Sequence, residues 1–243
     1  MPSVASPLSD RLWRESRSAI RADALSLDIA IDLASEAFDV LAVYAGGFDA
    51  LAHRFWRYSH PEGYAEPPTS AEVASYGGVL ASYCVWLDSR IGELVSAAPP
   101  TSSILLLSDH GMETINSSSA FRASDPPSLT NSAHHRSAPA GVILASGPRF
   151  RRYVSATSRV ALRTVGDVYD VLPTILALFG IPAGLDMPGE PMLELLAEAE
   201  ASRVPKRIDS HDSGWSRADS TCCESERRTA DELDRLRALG YVD

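Results

Sequence analysis

Three short groups of residues carry side chains able to hold a cation. Asp109 and His110 stand together ahead of Gly111 and Met112, Asp49 and His53 stand four apart, and His134, His135 and Arg136 run consecutively. A carboxylate offers a hard oxygen and an imidazole a borderline nitrogen, a combination suited to Zn²⁺ or a neighbouring divalent ion. If the chain turns helical at Phe48, the spacing sets Asp49 and His53 on one helix face. Gly111 allows the backbone to turn sharply after the Asp-His pair. Each group alone also fits a polar strand end or a solvated helix start. Together they form the ligand inventory of a two-metal hydrolase site. His60, beside a proline, and His211, in a polar segment, are expected to be plain solvated side chains.

The elements that must position these groups follow from hydrophobic pattern. Residues 104–107 (Ile-Leu-Leu-Leu) form an apolar run that stops at Ser108-Asp109. Such a run is expected as a strand buried on both faces, as in a parallel sheet, and parallel sheets bind ligands at their strand carboxyl ends. Residues 38–44 are a second buried-strand candidate, ended by Gly46-Gly47 ahead of Asp49, and residues 141–146 a third, closed by Gly147-Pro148.

Helical periodicity lies between the strands. Residues 9–37 predict one or two amphipathic helices, a covering layer without a site. Thr69 or Ser70, with Glu72 in the first turn, caps a helix expected to run to Ala98, where Pro99-Pro100 stops it. A further helix is expected over 165–179 with a Gly180-Ile181-Pro182 stop, and a short one over 229–239. Residues 59–70 hold Pro61, Gly63, Pro67 and Pro68, a surface loop. The stretch 113–132 shows no periodicity and is expected as a long flexible loop at the rim of the site. Alternating strands and helices indicate α/β layers.

With those residues in place the sequence resembles the alkaline phosphatase superfamily, in particular its type I phosphodiesterase/nucleotide pyrophosphatase branch. Residues 38–56, containing Asp49 and His53, resemble the family strand that delivers an Asp and a His to one metal. Ser108-Asp109-His110-Gly111-Met112 resembles its strongest signature, and residues 132–136 followed by 141–148 resemble the segment giving the last His. Asp170-Val-Leu-Pro173-Thr174, Leu185-Asp186-Met187-Pro188-Gly189 and the ending Leu236-Arg-Ala-Leu-Gly240 also resemble family segments.

The resemblance implies an alkaline-phosphatase-like, mostly parallel sheet sandwiched between helices. It implies two divalent ions, Zn²⁺ first and Mn²⁺ second. Asp49, His53 and His135 would hold one ion, Asp109 and His110 the other. His134 is the rival for His135, which immediately precedes Arg136 as the ligand does in the closest family patterns. The family also uses an Asp from an N-terminal strand and a Thr or Ser nucleophile on a nearby helix, which would precede Phe38. Residues 1–37 show no such strand, and Ser3, Ser6, Ser9 and Ser16 lack that setting. The expectation is therefore a C-terminal half-domain with the N-terminal part missing and no nucleophile identified.

That expectation divides the chain into a helical segment over 1–37, the phosphodiesterase-like half over 38–197 and a polar tail over 198–243. It implies a small phosphate-ester substrate and the missing half as a possible second chain. The alternatives are a non-catalytic metal-binding fragment or partner subunit, or a sulfatase or phosphomutase of the same superfamily. Three histidines at ligand positions count against the sulfatase.

Composition bounds the rest. The 243 residues are 45% hydrophobic, enough for a sizeable core, and carry a formal charge of -10. That charge repels a phosphate backbone and argues against nucleic-acid binding. Cys84, Cys222 and Cys223 give no disulfide framework. No signal peptide or membrane-spanning run is legible, so the chain as written is expected to be soluble and cytoplasmic.

Overall fold

The computed structural model describes residues 7–36, 38–115, 131–152 and 163–212. The chain divides into two compact units. Among the described residues the first comprises 7–99 and 110–141, and the second 100–109 and 142–212.

The first unit is mainly helical. Helix α1 (Pro7–Leu33) buries Leu12, Ser16, Asp23, Leu27 and Ala30. Those residues recur at helical spacing, so a single continuous stripe faces inward. Helix α2 (Gly47–Ser59) buries Leu51, Ala52, Phe55 and Tyr58 and gives way to a 3-10 turn, Pro61–Gly63.

The helix expected over 70–98 is two helices, α3 (Ser70–Tyr76) and α4 (Val79–Ala97). The Gly77-Gly78 pair separates them, and Gly77 is needed because a Cβ there would lie 2.9 Å from the Tyr58 carbonyl oxygen of α2. The cap is as the sequence indicates: Thr69 Oγ1 accepts from Glu72 N at 3.3 Å and Glu72 Oε2 accepts from Thr69 N at 2.8 Å.

Leu12, Leu51, Phe55, Tyr58, Leu80 and Tyr83 form the core of this unit. Burying such side chains contributes roughly 1.5–3 kcal/mol each. The exposed ion pairs of Arg90 with Asp28 and Glu93 contribute under about 1 kcal/mol. Apolar burial therefore holds α1, α2 and α4 together. The unit ends in a short antiparallel ladder between β2 (Glu113–Thr114) and β3 (Ala133–His134).

In the second unit β1 (Ile104–Leu107) pairs antiparallel with β4 (Ile143–Ser146), Ile104 opposite Ser146 and Leu107 opposite Ile143. Helix α5 (Val171–Leu178) and a short α6 (Glu198–Ala201) accompany a core of Phe150, Leu178, Met192, Leu195 and Leu196. The helix expected from 165 begins at Val171, after a 3-10 turn over Val168–Asp170. Asp167 caps that turn, accepting from Tyr169 N at 2.8 Å.

The fold is thus mixed α/β, but its described strands form two two-stranded antiparallel sheets in place of the expected parallel one. Leu106, Leu107 and Leu144 are exposed, so the apolar run of β1 is not covered on both faces. Residues 38–44 are not a buried strand. They run without regular structure, with Phe38 42% exposed, Val40 56% and Tyr44 79%. An apolar run has the propensity for a buried strand, but burial requires a neighbour to pair with and cover it. Of the flexible loop expected over 113–132, Glu113–Thr114 instead form β2 and Ile115 and Ser132 are buried, because the segment's ends pair with β3 and bond to α2; residues 116–130, the helix over 229–239, Cys222 and Cys223 lie outside the described residues. Among the described residues no helix is long and apolar enough to cross a membrane.

Candidate metal centre

The first turn of α2 carries Asp49, and His53 follows one turn later, so the two side chains share a helix face as their spacing indicates. His53 Nε2 lies 3.5 Å from Asp49 Oδ1. The His53 ring is 2% exposed, and its Nδ1–H donates to the Ala133 carbonyl at 2.7 Å.

Ser132, fully buried, joins the same helix to the strand that follows it. Its N–H donates to the His53 carbonyl at 2.6 Å, its Oγ donates to that carbonyl at 3.2 Å, and it accepts from Arg57 N at 3.3 Å. These bonds fasten the start of β3 to α2, and His135 is the first residue after β3. Its ring centroid lies 5.4 Å from that of His53, edge to face.

His110 completes the group. Its backbone bridges Ala140, and Gly111 N donates to the Pro139 carbonyl at 2.7 Å. A Cβ at Gly111 would lie 2.9 Å from that carbonyl oxygen, which explains the glycine after the Asp-His pair. His110 Nδ1–H donates to the Gly111 carbonyl at 2.9 Å, and the ring stacks on His135 with centroids 4.1 Å apart. One ligand atom each from Asp49, His110 and His135 lies within 4.8 Å of the others.

The sequence grouping put His110 with Asp109 and apart from Asp49 and His135. The structure brings Asp49, His53, His110 and His135 together within the first unit. Asp109 is exposed beyond the end of β1 and belongs to the second unit. His134 is buried on β3 opposite Glu113, and alternation along a strand turns its side chain away from the face of its neighbour His135. His60 is not a solvated side chain: it stacks on Trp56 with centroids 4.1 Å apart. His211 is exposed, with Nε2 2.7 Å from the Pro182 carbonyl oxygen.

The donors fit a divalent ion. A Zn–N bond of about 2.1 Å and tetrahedral angles put ligand atoms about 3.4 Å apart. The ligand atoms of Asp49, His110 and His135, within 4.8 Å of one another, approach that spacing. In both His53 and His110 the Nδ1–H is engaged by a backbone carbonyl, so a neutral ring carries its lone pair on Nε2, as a ligand requires. His53 Nε2 is buried and reaches no hydrogen-bond partner of normal geometry. Burial lowers the His53 pKa below its ordinary value, against the opposing pull of Asp49, the Ala133 bond and Asn131. The ring is thereby kept neutral. Burial likewise lowers the pKa of His134.

Sequence reasoning missed Ser132 and Asp23, a buried carboxylate on α1 that accepts from the Gly47 amide at the start of α2. Their partners lie 75 to 79 and 24 residues away. A Ser beside the His pair, and an Asp within the apolar stripe of α1, were the only local signals.

The fold and site define a mixed α/β protein with a carboxylate and imidazole cluster suited to a divalent cation. The sequence model of the Type I phosphodiesterase / nucleotide pyrophosphatase family matches residues 4–228. The chain belongs to that family, and through it to the alkaline phosphatase superfamily. The family is one of phosphate-ester hydrolases and is generally metal-dependent. No curated protein and no solved structure matches the chain significantly.

Proposed function

We propose that the chain carries the metal-binding part of a phosphodiesterase/nucleotide pyrophosphatase centre that hydrolyses small phosphate esters. The convergence of Asp49, His53, His110 and His135 carries this proposal. Asp49, His53 and His135 hold one divalent ion, Zn²⁺ in preference to Mn²⁺. The family resemblance assigns Asp109 and His110 to a second ion, and within the first unit His110 lies with Asp49 and His135. Bound ions supply Lewis-acid stabilisation of the negative charge that grows on phosphoryl oxygens.

The chain's own groups do the positioning. The Ala133 carbonyl fixes the His53 ring plane and Ser132 locks the helix that carries it, so the imidazole meets its ion without reorganising. His110 and His135 stack, each limiting rotation of the other.

No nucleophile is assigned among the described residues. Ser16 is fully buried and donates to the Leu12 carbonyl at 2.7 Å, which removes it from that role.

The test is hydrolysis of bis-p-nitrophenyl phosphate by the 243-residue chain in Zn²⁺ or Mn²⁺. The chain alone should turn over barely above the metal-only background, because losing a covalent nucleophile costs powers of ten. Robust metal-dependent turnover, lost in His135→Ala, would retain the site but overturn the missing nucleophile.

A further inference from the structure

Asp23 interrupts the apolar stripe of α1 four residues before Leu27, and it is 4% exposed. A carboxylate at such a position is costly unless it is hydrogen-bonded. Its partners come from two other helices. The Gly47 N–H, in the first residue of α2, donates to Asp23 Oδ2 at 2.7 Å, and the Tyr83 hydroxyl of α4 donates to the same oxygen. Burial, then the Asp23 bond, push the Tyr83 pKa up, so the phenol remains a donor.

The fit at Gly47 is close. A Cβ there would stand 2.3 Å from Asp23 Oδ2 and 2.5 Å from Tyr83 Oη. Helix α2 has no side-chain cap of its own, because Gly46 occupies the cap position. A carboxylate 24 residues upstream supplies the acceptor in its place, and its charge complements the positive end of the helix. Asp49 follows two residues later and His53 one turn beyond that.

We propose that Asp23, held by Tyr83, is a positioning residue for the metal centre. Acting through the Gly47 amide, it fixes the rotation and axial height of α2 against α1 and α4, and so the direction in which Asp49 and His53 project. This role rests on the metal-centre reading above. It differs from generic packing in one respect: removing it should displace the ligands more than it weakens the fold.

The experiment uses the full chain as Asp23→Asn, which keeps an acceptor oxygen but removes the charge, and as Tyr83→Phe, which removes only a hydroxyl. Leu27→Ala, a buried change on the same stripe of α1, is the control for lost packing. Co²⁺ binding is followed by its visible absorption, and amide exchange over residues 47–53 is measured by mass spectrometry without metal.

Asp23→Asn and Tyr83→Phe should each weaken Co²⁺ binding about tenfold, the scale seen when a ligand's supporting bonds are removed. Both should also speed exchange in the first turn of α2, while Leu27→Ala lowers the thermal midpoint and moves neither. Normal Co²⁺ binding by the wild type with unmoved affinity in both variants overturns the role of Asp23 alone, as does an equal loss in Leu27→Ala. If the wild type binds no Co²⁺, the metal centre falls and the role of Asp23 falls with it.

Discussion

Replacing Gly47 by alanine tests the joint at the start of α2 through the sign of a stability change. In an open helical position Gly→Ala stabilises by about 0.5–1 kcal/mol, because alanine gives up less backbone freedom on folding. Gly92 in α4 is such a position, exposed and with nothing within 4 Å of an added Cβ. At Gly47 the methyl would meet Asp23 Oδ2 at 2.3 Å, Tyr83 Oη at 2.5 Å and Tyr83 Cζ at 3.0 Å. Both side chains are buried, so neither swings aside freely.

If the carboxylate withdraws, a buried amide loses its acceptor, at about 1–3 kcal/mol. If it stays, overpacking costs a similar amount, about 1–3 kcal/mol. Either term exceeds the propensity gain, so Gly47→Ala should destabilise by roughly 1–2 kcal/mol net. In a chain of this size that lowers the melting midpoint by about 2–8 °C. Circular dichroism melts of the two variants, side by side, should move in opposite directions. A Gly47→Ala protein that melts at or above the wild type would refute the three-way contact.

Two further outcomes follow from the buried polar groups. His53 and His134 both have pKa values below the ordinary 6.5, burial being the largest cause. Their neutral forms are favoured by folding, so the stability they support is whole above pH 6.5 and falls as pH drops toward the lowered values. The urea midpoint in chelator should therefore be lower at pH 5.5 than at pH 7.5, and a flat midpoint would contradict this. Ser132→Ala removes an Oγ that donates to the His53 carbonyl at 3.2 Å and accepts from Arg57 N at 3.3 Å. At this fully buried site it should cost about 1–3 kcal/mol by urea denaturation, and a cost near zero would show that Ser132 does not brace α2.

What the sequence disclosed was local. The i,i+4 spacing of Asp49 and His53, the Thr69–Glu72 capping box and the helical stripe of α1 each depend on neighbours within a turn or two, and each is present in the structure. The errors concern pairing across long distances. The apolar residues of 38–44 and 104–107 have strand propensity, but composition does not specify which strand lies alongside or in which direction. The first is exposed without a ladder, and the second pairs antiparallel with 143–146.

The site divides the same way. Residue types picked out the candidate ligands, but the approach of His110 to Asp49 and His135 depends on the Ala140 bridge and on the Ser132 bonds to α2, about 30 and 80 residues apart in sequence. Asp23 was passed over because its meaning lies in the amide it accepts from another helix.

Metal content of the purified 243-residue chain, compared with His53→Ala and His135→Ala, tests the central claim most directly. After equilibration with Zn²⁺ or Mn²⁺ and exhaustive dialysis, elemental analysis should find near-stoichiometric metal in the wild type and most of it gone from each folded variant, since each loses one ligand of a three-ligand site. Unchanged metal content in both variants would contradict the assignment of Asp49, His53 and His135 as a divalent-ion site.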